Sequence, residues 1–153
     1  MVSKEQIKQL RSLKNKKYRN LHNLYLVEGP KLLAEAIENN AEIEHIYYTS
    51  DKIDFVPQGI PNSEISDKTL KQISLLNHPQ GIVFTVKKND EETKIEDTFL
   101  MALDNIQDPG NMGTILRLAA WYNSKTLLLS SDCVDIYNPK VVQASMGAVF
   151  HTN

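Results

Sequence analysis

One fifteen-residue stretch concentrates the groups that could do chemistry: Leu103-Asp104-Asn105-Ile106-Gln107-Asp108-Pro109-Gly110-Asn111-Met112-Gly113-Thr114-Ile115-Leu116-Arg117. The apolar run 99–103 before it reads as a buried strand, and a helix is expected over about 114–122 after it. The polar segment 104–113 is then a loop at a strand's carboxyl end, where open α/β sheets place their ligands. Gly110 and Gly113 allow positive φ or a close backbone approach, and Pro109 holds Asp108 extended. Thr114 suits an N-cap, which would make Arg117 the third residue of the helix. A cation in a first turn opposes the helix dipole by roughly 0.3–1 kcal/mol. An anion beside the loop would account for it, since a guanidinium grips phosphate through two parallel hydrogen bonds. The alternative is an arginine that braces the loop by pairing with Asp104 or Asp108. Asn111 could donate to a ligand hydroxyl, or simply occupy a left-handed turn between the glycines.

Other chemistries find no support. Gly110-x-x-Gly113 is neither the Gly-x-Gly-x-x-Gly of dinucleotide binders nor a P-loop, because no Gly-Lys-Ser/Thr follows. His22, His45, His78 and His151 lie too far apart for metal-ligand spacing, so no metal is expected. One cysteine, Cys133, excludes an internal disulfide framework and fits a reducing cytosol. Apolar runs stop short of the ~18 residues of a bilayer span, and the opening residues carry no secretory pattern. A cytoplasmic protein with no membrane partner is expected.

Charge is distributed unevenly. Residues 1–20 hold seven bases (Lys4, Lys8, Arg11, Lys14, Lys16, Lys17, Arg19) and one acid, or +6, within a chain of net charge −2. Such a block suits a polyanion, because each base near a phosphate displaces a condensed counterion. A solvated helix face is the competing reading.

The elements that must position these groups follow from pattern. Ser3 with Gln6 makes a capping box, and Ile7, Leu10 and Leu13 recur at helical spacing. Leu24–Val27 reads as a strand, and Pro30 as the first residue of a helix whose buried stripe is Leu32, Leu33, Ala36 and Ile37. Residues 43–49 form a second strand, 51–65 loop and short extended pieces, 67–74 a helix capped by Ser66, and 81–86 a third strand. Strands alternating with helices make this half α/β. Residues 88–97, charged with a single apolar residue, read as a linker, with a surface hairpin as the alternative. The division is thus 1–87, a linker, and 98–153. In the second part, strands over 99–103 and 125–130 alternate with helices over 114–122 and from Pro139 to Ser145. Two or three strands and two helices cannot cover both faces of a parallel sheet, so this domain looks incomplete.

Asn105-x-x-Asp108-Pro109-x-Asn111-x-Gly113-x-x-x-Arg117-x-Ala119 resembles the first signature motif of the SpoU (TrmH-like) RNA methyltransferases of the SPOUT superfamily. Lys16-Lys17-Tyr18-Arg19 with Leu26-Val27-Glu28-Gly29, and His78-Pro79-Gln80-Gly81-Ile82, are similar to the substrate-binding domain that precedes the catalytic domain in many members. That domain resembles the small α/β RNA-binding fold of several ribosomal proteins.

The resemblance implies transfer of a methyl from S-adenosylmethionine to a ribose 2′-hydroxyl of ribosomal or transfer RNA. It implies Arg117 as activator together with an RNA phosphate, and Asn111 as a positioning group. Lys14, Lys16, Lys17, Arg19, Asn105 and Asp108 become the expected substrate-binding residues. Asn123 stands where many members have glycine, and asparagine also tolerates that left-handed cap. The family's second and third motifs, which tie its trefoil knot and form most of the cofactor pocket, do not follow. Residues 138–148 resemble the stretch just before the second motif, so a truncated, inactive fragment without a cofactor site is expected, homodimeric when full length. A non-catalytic RNA-binding module is the alternative. A nucleotide-binding α/β enzyme unrelated to RNA survives only if the basic block is a solvated face.

Overall fold

A computed structural model describes residues 2–89 and 99–152. Of the stretch 88–97 read as a linker, all but Lys88 and Asn89 lies outside the described residues. The chain separates into two compact units, 1–88 and 89–153.

In the first unit, α1 (Lys4–Ser12) starts at the expected capping box, with Ser3 and Gln6 bonded reciprocally. A short α2 (Lys16–His22) follows, then β1 (Leu24–Glu28), α3 (Pro30–Glu38) and β2 (Ile43–Tyr48). A 3-10 turn over Ser50–Phe55 leads to β3 (Asn62–Glu64), α4 (Asp67–Ile73) and β4 (Ile82–Lys87). The sheet order is β1-β4-β2-β3, with β4 antiparallel to both neighbours and β2 parallel to β3. Thus β1 and β2 run the same way with β4 slotted between them.

Every residue of β1 is buried, as befits a strand covered on both faces. Leu24 and Leu26 on one face join Leu10, Leu13, Tyr47, Leu70, Ile73 and Val83, so α1 and α4 cover that side. Pro30 takes the first helical position of α3, as its missing N–H allows. Gly29 before it has φ 106°, and a Cβ there would meet Gln80 Oε1 at 2.5 Å. Ile37, expected in the buried stripe, is 39% exposed at the end of α3.

The second unit contains β5 (Met101–Leu103), α5 (Pro109–Trp121), β6 (Leu127–Leu129) and α6 (Pro139–Ser145), with a final 3-10 turn. Strands β5 and β6 pair in parallel, as two strands joined by a crossover helix must. Asn138 caps α6 by accepting the Lys140 N–H at 3.0 Å.

Candidate active site and nucleic-acid interface

The loop after β5 is shorter than its composition suggested. Asn105, and not Asn111, takes the left-handed conformation, with φ 55°. Its N–H donates to Ser130 Oγ at 3.0 Å, and its Oδ1 accepts Gln107 Nε2 at 2.8 Å. The loops leaving β5 and β6 are stitched together further by Val134 N–H donating to the Ile106 carbonyl at 2.8 Å. The sulfur of Cys133 also lies 3.4 Å from the Leu103 carbonyl.

Asp108 then begins the helix. Its Oδ1 accepts the Asn111 N–H at 2.7 Å, and Pro109 is the first helical residue. Thr114 is therefore no N-cap: it lies inside α5, and its hydroxyl donates to the Gly110 carbonyl at 3.0 Å. Arg117 becomes the ninth residue of α5 rather than the third. The dipole argument for an anion beside it falls, because that field fades within the first turn.

The bracing alternative finds no contact to support it. Arg117 is exposed and makes no hydrogen bond or ion pair among the described residues, with Asp104 and Asp108 included. Asn111 is also exposed. It sits six residues before Arg117, about 9 Å along the axis and on a face roughly 120° away. The structure does not bring these two side chains together. Gly110 and Thr114 share the Arg117 face, with a bare glycine nearest the loop.

Neither Gly110 nor Gly113 has positive φ. At Gly113 the reason for glycine is packing. A Cβ there would lie 2.5 Å from Ala144 Cβ and 2.9 Å from the Ser145 nitrogen, so α5 and α6 touch almost backbone to backbone. Met112, Leu116 and Ala119 of α5 are buried with Val141, Val142 and Ser145 of α6. The opposite face of α5 exposes Leu118, Trp121 and Tyr122, with Trp121 85% exposed. Sequence reading passed over this apolar cluster because their types also suit a core.

In the first unit, Lys14, Lys16 and Lys17 are exposed around the corner between α1 and α2, and Lys17 Nζ lies 5.9 Å from the Tyr18 ring centroid. Arg19 departs from expectation. It is 2% exposed, and its Nη1 donates to the Leu13 and Lys14 carbonyls at 2.8 and 2.9 Å. It cannot reach out to a phosphate without abandoning those bonds. Its work is to hold the corner that displays the three lysines. Asn105 and Asp108 likewise have turn and cap duties that account for their residue types without a ligand. The break between α1 and α2 was missed because 14–17 carries no apolar period; Asn15 as N-cap and left-handed Asn23 after the helix were its signals.

Comparison with known proteins supplies independent evidence. Residues 4–83 match the MRM3-like substrate binding domain, and residues 98–153 match the SpoU rRNA Methylase family. The chain is 34% identical over 152 residues to a Xenopus laevis protein named rRNA methyltransferase 3, mitochondrial, covering 90% of this chain and 36% of that one. It is 26% identical over 151 residues to a Bacillus subtilis protein named as a 23S rRNA guanosine 2′-O-methyltransferase, covering 96% of this chain and 60% of that one. A solved structure of a TrmH-family protein from Porphyromonas gingivalis superposes with a TM-score of 0.89 at 35% identity, covering 100% of this chain and 62% of that one. The chain spans about a third of the length of the vertebrate relatives it matches.

Proposed function

Because the chain belongs to the SpoU RNA methylase family, with an MRM3-like substrate-binding domain ahead of its methylase region, we propose that it serves methyl transfer from S-adenosylmethionine to a ribose 2′-hydroxyl of ribosomal or transfer RNA. The observation that carries this reading is the placement of the motif 105–117: a tight turn and cap hold the helix, and Arg117 is left charged, exposed and unpaired among the described residues.

A ribose hydroxyl is a weak nucleophile and must lose its proton as it attacks a methyl group. Arginine stays protonated at any physiological pH, so Arg117 is no general base. Its cation can stabilise negative charge developing on the ribose oxygen and fix an adjacent phosphate through a bidentate pair. The proton then passes to phosphate oxygen or water. Asn111, on another face of α5, is suited to orienting the ribose or its neighbour.

S-adenosylmethionine is the methyl donor in this reading and supplies the electrophilic methyl group. The loops at the carboxyl edge of β5 and β6 bond to each other, which holds that edge in a fixed shape beside α5. The contribution of this chain is RNA docking at Lys14, Lys16 and Lys17 and the presentation of Arg117. A second copy through the exposed Leu118, Trp121 and Tyr122 face of α5 is the quaternary partner we propose. The free thiol of Cys133 supports the cytoplasm as its place of work.

A salt series of RNA binding tests the docking half. Affinity should fall with a slope of about −0.7 per phosphate neutralised on single strands. Replacing Lys14, Lys16 and Lys17 together by alanine should lower affinity and flatten that slope. An unchanged slope in the triple variant would remove the corner from the account.

A further inference from the structure

A cleft of about 200 Å³ opens in the first unit between α1 and the sheet. That exceeds the ~150 Å³ that accepts a benzene ring. Its floor includes Leu10 and Leu13, and its walls carry Gln9, Glu44, His45 and Tyr47. The His45 and Tyr47 rings lie 4.6 Å apart, tilted by 34°. Burial holds the His45 pKa below its ordinary value, which favours a neutral ring, and one ring nitrogen sits 3.0 Å from Ser63 Oγ.

The polar groups there are open to solvent: Gln6, Gln9 and Glu44 are exposed, and the hydroxyl of Tyr47, which makes no hydrogen bond among the described residues, is not buried. The register of β2 against β4 slips between Ile43 and His45, an irregularity of the kind that re-aims a side chain. At the slip stands Glu44, whose Oε2 accepts Thr85 Oγ1 at 3.1 Å while Oε1 takes no donor among the described residues. The Gln9 amide is unpaired among the described residues, and Gln6, its Oε1 taken by the Ser3 N–H, keeps its own N–H groups free.

The half-exposed His45 ring beside a carboxylate and amides suits one unstacked nucleobase. The carboxylate selects among bases. A carboxylate accepts two parallel N–H groups, and guanine alone presents N1–H and the N2 amino group side by side. Adenine and cytosine would set a ring acceptor against it. Leu13 of the floor is followed directly by exposed Lys14, which places a cation beside the entering backbone.

We propose that this cleft captures one single-stranded guanine of the RNA substrate, with the Glu44 carboxylate on its Watson–Crick edge. The inference rests on the RNA-docking reading and adds base selectivity to it. Fluorescence anisotropy of the 153-residue chain with labelled pentanucleotides UUGUU, UUAUU and UUCUU tests it. UUGUU should bind about tenfold more tightly than the other two, within the range of one bidentate base contact. Glu44→Gln, which keeps an acceptor for Thr85, should erase that preference. Tyr47→Phe should weaken UUGUU selectively. Equal, salt-sensitive binding of all three would overturn the guanine site and leave docking at the lysine corner intact. Binding of none would overturn both, and a preference that survives Glu44→Gln would overturn the assignment.

Discussion

Asp108 Oδ1 accepts the Asn111 backbone N–H at 2.7 Å, and this one bond starts α5 at Pro109. Two residues of the motif thereby become architecture, and Arg117 is carried more than two turns along the helix. Asp108→Ala should lower the stability of the second unit by about 1 kcal/mol, the usual value of an N-cap. Asp108→Ser should recover most of it. Urea denaturation of the two variants beside the parent measures the difference, and equal midpoints for all three would contradict the cap.

Arg19 gives a contrast with the lysines beside it. Arg19→Ala leaves the Leu13 and Lys14 carbonyls without a buried donor, a loss of roughly 1–3 kcal/mol. The Lys14, Lys16 and Lys17 alanine variants should stay within about 0.5 kcal/mol of the parent, as exposed substitutions do. Thermal unfolding separates the two groups. RNA affinity should move the other way, falling in the lysine variants at full stability.

Gly113→Ala places a methyl group against Ala144 Cβ and the α6 backbone. Overpacking of this kind costs about 1–3 kcal/mol, because neither helix can withdraw without opening the core. Gly110→Ala, whose nearest neighbour is Asp108 Oδ1 at 3.1 Å, should be far milder. Denaturation midpoints that fall equally in both would contradict the packing argument.

Glu28 predicts a pH dependence. Burial raises its pKa above 4.5, partly offset by hydrogen bonds from Ser74 Oγ and the Leu75 N–H. A carboxyl with a raised folded-state pKa binds its proton more tightly in the native state. Its stabilisation is complete below the unfolded value and is lost as pH rises through the folded one. Glu28→Gln should therefore gain stability relative to the parent as pH climbs from about 4.5. Their difference should stay flat below it. Denaturation at a series of pH values reads this directly, and a Glu28→Gln variant that loses stability relative to the parent on raising pH would contradict it.

Much of the fold was legible because local signals agreed with tertiary needs. The capping box at Ser3, Pro30 opening α3, Ser66 before α4 and Asn138 before α6 all act where their types suggest. The start of α5 was not, because Gly110 and Gly113 look like loop residues when their use is helix-to-helix contact. Arg19 misled for a related reason: charge alone does not tell a surface cation from one folded back onto carbonyls. Short β3 carries no apolar alternation, and the slip that frees Glu44 is a property of strand pairing. The motif from Asn105 to Arg117 was readable as a pattern, although the geometry assigns several of its members structural duties.

The central claim concerns Arg117 and the ribose it acts on. The gene encoding this chain should be disrupted and 2′-O-methylation mapped across ribosomal and transfer RNA. The account predicts loss of a specific ribose methyl, restored by the parent gene and not by Arg117→Ala, whose product accumulates normally because that exposed side chain makes no bond among the described residues. An unchanged methylation map, or full restoration by Arg117→Ala, would contradict it.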